Sequence, residues 1–184
     1  NTEEANSLQE VFASQNDKDF IAAINWKKVE EYVNNGGGTK VPAKYAHNVY
    51  DESTHTATST MKKEVLTVNP LDVPGAVFFL PTPKSPHGCD VDPTGNYIIG
   101  NGKLSADLTV HSFDNMIAAI EGEKFDGEAY GIPILKFEDV LAGTVKSSGL
   151  GPLHTEFDGK GNAYTTFFIT SEVVKWKLGT WEVI

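Results

Sequence analysis

Two histidines of this 184-residue chain stand in similar local sequences. His87 lies five residues before Asp92, and His154 lies four residues before Asp158. Each aspartate begins a short glycine-containing turn that leads into a tyrosine and an apolar stretch. Neutral imidazole is a common metal ligand. If the two similar sequences are copies of one repeated structural unit, each copy could direct its histidine toward a common axis, where the two imidazoles would share a metal. The spacing leaves open the alternative that both histidines only satisfy backbone groups at the start of each unit.

Short strands separated by proline and glycine turns are the elements that would position these histidines. Apolar runs predict strands at residues 19–25, 61–69, 76–80, 97–99, 108–110, 132–137, 164–169 and 173–176. Apolar residues at helical spacing predict helices at 26–34 and at 113–121, the second closed by Gly122. The polar, threonine-rich segment 40–60 has no clear period, so we expect an irregular surface excursion there.

The distance between the two units indicates the fold class. Asp92 and Asp158 are 66 positions apart, more than the roughly 40 to 50 residues of one propeller blade. The first unit must therefore carry an insertion, which we assign to the helix around Ile117 and a loop to Tyr130. The sequence predicts an all-β fold, a partial β-propeller with several blades of antiparallel strands and short helical insertions.

Composition places the chain among ordinary globular proteins, with 40% apolar and 10% aromatic residues. Its 15 basic and 25 acidic residues give a formal net charge of -10, which disfavours binding to nucleic acid or to an anionic membrane. No stretch approaches the roughly 20 apolar residues that span a bilayer. Because the chain begins at Asn1 without a signal-like segment, we expect a piece of a longer protein.

Cys89 is the single cysteine of the sequence, so an intrachain disulfide framework is excluded. One thiolate cannot by itself form a metal site. Cys89 follows His87 by two residues, and the two side chains would share a face only if the chain is locally extended. We expect no metal ligation by Cys89.

The stretch from Ser85 to Trp176 resembles the catalytic propeller of nitrous-oxide reductases, the copper enzymes of denitrification. The resemblance rests on the blocks Ser85–Gly88, Asp92–Tyr97, Asn101–Ser105, Gly149–Thr155, Phe157–Thr166 and Val173–Trp176. Departures from the family pattern, such as Ser85 and the insertion between Gly122 and Tyr130, indicate a divergent branch of that family.

The resemblance implies a seven-bladed propeller and a tetranuclear copper-sulfide cluster held by seven histidines. The Pro-His-Gly and Gly-Pro-Leu-His-Thr motifs each supply one ligand in that family, which makes His87 and His154 the expected cofactor-binding residues. The other ligands and the C-terminal cupredoxin domain with its binuclear copper site have no counterpart here. We therefore expect residues 1–184 to be a fragment of the copper-cluster domain that is inactive alone.

The resemblance also implies a reaction, partners and a location for the complete enzyme. It would reduce nitrous oxide by two electrons to dinitrogen and water. Its electron donor would be a small protein such as a cytochrome c or a cupredoxin. The enzyme would be a periplasmic homodimer, without membrane insertion and without a role for nucleic acid.

A structural calcium ion is a second metal that the resemblance implies. Glu3 and Asp19 match its carboxylate ligands, a type that Ca²⁺ prefers. The family's Tyr just before Asn1 is missing, Ala13 stands at the Met position, and Ser85 replaces the usual Asn. The alternative that both acids are solvated surface residues stays open.

Several other polar residues are assigned structural roles. Asp92 and Asp158 could orient a metal ligand, but an Asp before a glycine turn commonly bonds its own backbone. We expect Lys103 and Lys160 at the surface or in turns, and the three remaining histidines, His47, His55 and His111, as surface or capping residues.

Two other functions compete with the reductase. A non-catalytic propeller that serves as an interaction scaffold would need neither histidine. A mononuclear hydrolytic metal site would need a carboxylate or a third histidine that converges with these two, and the sequence offers no clear candidate.

Overall fold

A computed structural model describes residues 19–42, 47–60 and 64–184 of the chain. The elements in chain order are β1 (Asp19–Ile24), α1 (Trp26–Asn34), β2 (Thr39–Pro42), β3 (His47–Asp51), β4 (Thr56–Thr60), β5 (Glu64–Thr67), a 3₁₀ helix (Pro70–Asp72), β6 (Val77–Thr82), β7 (Pro86–Val91), β8 (Tyr97–Gly102), β9 (Asp107–Ser112), α2 (Phe113–Glu121), β10 (Phe125–Ala129), β11 (Ile132–Leu135), α3 (Phe137–Val140), β12 (Leu141–Lys146), β13 (Pro152–Phe157), β14 (Asn162–Phe167) and β15 (Glu172–Lys177). The predicted all-β class is confirmed, since most pairings are antiparallel and helices are few. None of the helices in these ranges is both long and apolar enough to cross a membrane.

The chain divides into two compact units. One comprises residues 24–77, and in the other the described residues are 19–23 and 78–184. The smaller unit contains α1 at the predicted bounds, with the Asn25 side chain accepting the Lys28 N–H at 3.3 Å as an N-cap. Its strands form two antiparallel pairs, β2 with β5 and β3 with β4.

The prediction of an irregular excursion at residues 40–60 was therefore wrong. Threonine has a high strand propensity, and the segment forms β3 and β4 around a turn. Asp51 stabilises that turn by accepting the Ser53 N–H at 2.9 Å. Hydrophobic periodicity gave no signal because β3 has only the adjacent Val49 and Tyr50 as apolar residues and β4 only Ala57, so no apolar residue recurs at a spacing of two.

Two antiparallel sheets dominate the larger unit. The first has the order β12-β9-β8-β7, and the second has the order β13-β14-β15. Val183 adds a single bridge to Trp176 beyond the outer strand of the second sheet. The propeller prediction requires each blade to consist of antiparallel strands in chain order, and both sheets have this arrangement. The seven-bladed ring itself stays a prediction.

The insertion between β9 and β12 is larger and more ordered than expected. The helix α2 has the predicted bounds and ends at Gly122. The expected loop to Tyr130 instead contains β10, which pairs with β11, and β11 joins β6 in parallel. This places the hairpin in a separate sheet with the order β1-β6-β11-β10.

The first sheet is covered on both faces, which explains why four consecutive residues are buried in β8 and four in β9. On one face, a cluster joins it to the second sheet. That cluster consists of Ile99, Leu108, Val110, Val145, Ala163, Phe167, Val174 and Trp176. On the other face, residues of β6, β11, α2 and α3 form a second cluster, which consists of Phe78, Leu80, Met116, Ala119, Leu135 and Val140.

Candidate functional site

Both sequence-predicted metal ligands lie in equivalent β-bulges at the start of β7 and β13. Between Pro86 and Cys89, β7 has one residue more than the facing part of β8. Between Pro152 and Thr155, β13 has the same excess over β14. A bulge re-aims the side chains of its strand, and bulges recur beside functional sites. The repeated unit is therefore a repeated backbone geometry as well as a repeated sequence.

The two histidines occupy neighbouring rather than identical positions of these bulges. His87 directly follows the proline that begins its strand, whereas His154 is the second residue after its proline. The residue equivalent to His154 is thus Gly88. The expectation that the repeat brings imidazoles to the same place in each unit needs this correction.

The imidazoles of His87 and His154 nevertheless come together, with ring centroids 5.0 Å apart and the rings nearly perpendicular. Both residues are exposed in this chain. A copper–imidazole bond is about 2 Å long, so nitrogens of two such rings are close enough to bind adjacent atoms of one compact cluster. The geometry fits the predicted ligand pair, and ligation itself stays a prediction.

Gly88 permits this approach because β7 and β13 pass each other backbone to backbone. A Cβ at position 88 would lie 1.9 Å from the carbonyl oxygen of Leu153 and 2.7 Å from Nδ2 of Asn101. Those distances are far below van der Waals contact. The glycine of the Pro-His-Gly motif therefore holds β7 and β13, and with them the two imidazoles, at their separation.

Asp90 binds His154 from across the boundary between the two sheets. Its Oδ1 lies 3.2 Å from Nδ1 of His154, and its Oδ2 accepts the Thr155 N–H at 2.7 Å. Asn101 donates to the same Oδ2 from Nδ2 at 3.2 Å. The carboxylate thus joins β7, β8 and β13. Sequence reasoning missed Asp90, because its partners on β13 lie more than 60 positions later in the chain.

A chain of buried polar groups continues from Asp90 into the core of the second sheet. Nδ2 of Asn101 also lies 3.4 Å from Oγ1 of Thr155, whose hydroxyl contacts that of Thr165 at 2.8 Å. Thr165 in turn accepts the Nε1–H of Trp176 at 2.9 Å. Trp176, Thr165 and Asn101 are completely buried. Burying a polar group costs free energy unless the group has a hydrogen-bond partner. The hydrogen bonds of this series therefore fix the positions of the side chains that form it.

The surroundings of His87 favour its neutral form. Burial lowers the pKa of the imidazole, and the nearby His154 and Lys103 lower it further. A neutral imidazole has a nitrogen lone pair for a metal, whereas an imidazolium does not. The electrostatics therefore prepare His87 to act as a ligand.

Lys103 lies in the turn that follows β8, one of the two places that we expected, but it is 5% exposed and therefore not at the surface. Its backbone N–H donates to the Ser85 carbonyl at 2.8 Å, next to the start of β7. Loss of hydration lowers the pKa of its ammonium group. The motif Asn101-Gly102-Lys103 lies directly beside β7, the strand that carries His87, and not at the surface.

Cys89 is exposed, like His87 two residues before it. Partial loss of hydration raises the pKa of its thiol, and the negative charge of Asp90 raises it further. The thiolate, which is the form that binds metals, is therefore disfavoured. The expectation that Cys89 is not a ligand stays a prediction.

Asp92 and Asp158 form hydrogen bonds within their turns, as expected. Asp92 accepts the N–H groups of Thr94 and Tyr97 at 3.1 and 2.8 Å. Burial opposes its ionisation, but these bonds and that of the Thr94 hydroxyl outweigh it, and its pKa is lowered. The side-chain bond from Asn162 and the N–H of Lys160 lower the pKa of Asp158 to about 2.

The predicted calcium ligands are only partly covered by the structure. Asp19 is 5% exposed, and its Oδ2 accepts the Ser85 N–H at 2.7 Å. Glu3 lies outside the described residues. Within residues 19–42, 47–60 and 64–184, no group of three or more His, Cys, Asp or Glu side chains converges to hold a metal ion. The calcium site stays a prediction.

His111 is the clearest departure among the other histidines, since it is completely buried rather than at the surface. It pairs with Ile98 and Leu141 in the first sheet and contacts the Phe137 ring. Neither ring nitrogen has a hydrogen-bond partner in the part of the chain that the structure describes. Burial lowers the pKa of this imidazole to about 4. His55 is exposed, and the side chain of His47 is not among those described.

Comparisons with known proteins agree with the motifs. No protein-family model matches the chain. A 100-residue segment, 54% of the chain, is 43% identical to the nitrous-oxide reductase of Stutzerimonas stutzeri, 41% to that of Pseudomonas fluorescens and 40% to that of Cupriavidus necator. The segment amounts to 14% of the length of each relative. The chain thus spans about one seventh of the curated relatives that it matches.

Proposed function

We propose that this chain, which is homologous over 100 residues to nitrous-oxide reductases, is part of an enzyme that reduces nitrous oxide. The observation that carries the proposal is the approach of the His87 and His154 rings to 5.0 Å. A scaffold protein has no need to gather two exposed imidazoles from separate sheets. A hydrolytic site would need a third ligand, and no such group exists among the described residues.

The donor set fits copper, because imidazole nitrogen is a preferred ligand of that metal. His87 and His154 would hold part of a copper-sulfide cluster, and the remaining ligands would come from outside the described residues. When bound, copper would supply the two electrons of the reaction N₂O + 2 e⁻ + 2 H⁺ → N₂ + H₂O.

The residues of the chain supply geometry and electrostatics for this chemistry. Gly88 sets the distance between the two ligand strands. Asp90 and the buried chain behind it keep the His154 ring in place, as outer hydrogen bonds do for metal-bound histidines generally. Partial loss of hydration, together with the nearby His154 and Lys103, lowers the pKa of His87 and so favours its neutral form. We assign no proton donor to the substrate among these residues.

The finer architecture belongs to the same proposal. The two antiparallel sheets would be adjacent blades of a seven-bladed propeller, with His87 and His154 on the innermost strands. The rest of the enzyme would close the ring and supply the cupredoxin domain with its binuclear copper site. We place the enzyme in the periplasm as a homodimer that receives electrons from a cytochrome c or a cupredoxin. A calcium ion would bind near the cluster through Glu3 and Asp19.

The test is copper content and nitrous-oxide reduction, measured on the full-length protein that carries this segment, with a reduced dye as electron donor. His87→Ala and His154→Ala should each abolish activity and lower the copper bound per chain. The matched control is His55→Asn, because His55 is exposed and its φ of 50° suits asparagine. Retention of copper and activity in both alanine variants would overturn the proposal and favour the scaffold.

A further inference from the structure

We propose that Asp90 is a positioning residue that holds the His154 imidazole in the tautomer with its hydrogen on Nδ1, so that Nε2 is the nitrogen that faces the metal. The inference deepens the proposed function and rests on it for the identity of the metal. Its geometric part concerns only hydrogen bonds between described residues, and it can be tested without copper.

The first step is the chemistry of the contact between Asp90 Oδ1 and His154 Nδ1, 3.2 Å apart. A carboxylate only accepts hydrogen bonds, whereas a neutral imidazole donates from one nitrogen and accepts at the other. A hydrogen bond between these two atoms therefore requires the hydrogen on Nδ1. The lone pair is then on Nε2, the position from which His154 can bind a metal.

The second step is that the carboxylate cannot easily turn away. Its other oxygen, Oδ2, accepts the backbone N–H of Thr155 at 2.7 Å and the Nδ2 of Asn101 at 3.2 Å. The Asn101 amide is itself oriented, because the same Nδ2 lies 3.1 Å from the carbonyl oxygen of Leu153. Reversing that amide would turn its oxygen toward two other oxygens. Oδ1 is thereby left for His154.

The third step is the place of Asp90 in the fold. Asp90 stands on β7, the strand of His87, yet it binds residues of β13, the strand of His154. Its side chain is 19% exposed, whereas that of His154 is 57% exposed. The more exposed partner is thus held by the more buried one. One carboxylate couples the spacing of the two ligand strands to the orientation of the second ligand.

Asp90→Asn tests this argument sharply because the amide has the shape of the carboxylate but a single acceptor oxygen. The two donors from Thr155 and Asn101 should retain that oxygen at the Oδ2 position. The NH₂ group then faces Nδ1 of His154 and needs a lone pair there. The variant should therefore reverse the tautomer and place the hydrogen on Nε2.

The measurement is ¹⁵N NMR of the histidine-labelled, metal-free full-length protein that carries this segment, at mildly alkaline pH, with His154 signals assigned from a His154→Gln sample. The wild type should show Nδ1 protonated, and Asp90→Asn should show Nε2 protonated. Asp126→Asn is the control, since Asp126 is exposed on β10, and it should match the wild type. Protonated Nε2 in the wild type, or an unchanged tautomer in folded Asp90→Asn, would overturn the inference.

A copper titration of the full-length protein that carries this segment separates this inference from the proposed function. Asp90→Asn should bind Cu(I) about 10- to 100-fold more weakly than the wild type, and Asp126→Asn should bind equally well. Tautomer reversal in a protein that binds no copper would overturn the proposed function and support the positioning role. An unchanged tautomer in a copper-binding protein would overturn the positioning role and support the function.

Discussion

The side chain of Asp19 accepts a hydrogen bond from the backbone N–H of Ser85, 66 positions along the chain, at 2.7 Å. Ser85 has a φ of 58°, in the left-handed region that non-glycine residues rarely adopt. It stands two residues before His87 and is fully buried. Asp19 therefore fixes the strained backbone from which the first ligand strand begins.

Replacing Asp19 by alanine should destabilise the protein by about 2 kcal/mol, because the buried N–H of Ser85 would lose a charged acceptor. Urea unfolding followed by circular dichroism measures this change. Asp126→Ala is the control, and it should stay within about 0.5 kcal/mol of the wild type, as exposed substitutions usually do. Equal stability of the two variants would contradict the role of this hydrogen bond.

Calcium should stabilise the protein if Glu3 and Asp19 bind it. At a calcium concentration of 100 times Kd, the free energy of unfolding should rise by about 2.7 kcal/mol through mass action. Thermal unfolding with calcium and with a chelator shows this as a shift in Tm. Glu3→Gln should remove the shift without touching the bond to Ser85. A Tm independent of calcium would exclude the site.

Gly88→Ala should destabilise the protein by about 3 kcal/mol or more, because the new methyl group overlaps the Leu153 carbonyl. It should also weaken copper binding, since the strands of His87 and His154 must separate. Gly95→Ala is a matched control, because Gly95 has a φ of 79° and open space around it. Gly95→Ala should lose only the roughly 1 kcal/mol that a non-glycine residue costs at a positive φ. Equal losses in both variants would show that the strand contact is unimportant.

His111 should make the protein less stable in acid. Its pKa is about 4 in the folded chain against 6.5 for the free side chain, so the unfolded state binds a proton first. Stability should be unaffected above pH 6.5, fall as the pH drops from 6.5 to 4, and lose roughly 3 kcal/mol in total.

The variant His111→Leu should lack this part of the pH dependence. It should also be at least as stable as the wild type at neutral pH, because it removes two ring nitrogens that have no partner among the described residues. Urea unfolding at several pH values compares it with the wild type and with His55→Asn. The prediction fails if His111→Leu and the wild type lose the same stability in acid.

Thr165→Val should cost about 1–3 kcal/mol, although the two side chains have similar shapes. The change leaves the buried Nε1–H of Trp176 without an acceptor and breaks the hydroxyl pair with Thr155. The exposed neighbour Thr166 is the control, and Thr166→Val should be nearly neutral. Thermal unfolding distinguishes them, and equal Tm values would mean that the buried chain contributes little.

The sequence predicted local features that have local causes. The bounds of α1 and α2 follow from helical periodicity and from stop signals such as Gly122, and both were confirmed. The repeated His-to-Tyr unit corresponds to two strand pairs with equivalent bulges. The prediction for the threonine-rich segment failed because short strands that lack an apolar face give no periodic hydrophobic signal.

The contacts that build the site were less predictable, because they join residues distant in the chain. Nothing local to Asp90 indicates that it meets His154 and Thr155, 64 and 65 positions later. Lys103 was assigned to the surface or a turn, and His111 to the surface or a cap. Lys103 lies in a turn, but both residues are buried, and their burial depends on the tertiary arrangement, which the local sequence does not show.

The insertion between β9 and β12 also sets the order of folding events. Adjacent strands of the first sheet are separated by the 28 residues 113–140, so β12 can join β9 only after a long loop has closed. Loop closure of this kind costs entropy before any contact compensates for it. We expect the β7–β8–β9 meander to form early and β12 to dock late, after α2 and the β10–β11 hairpin. During refolding, β7, the strand that carries His87, would then pair with β8 before β12 completes the sheet.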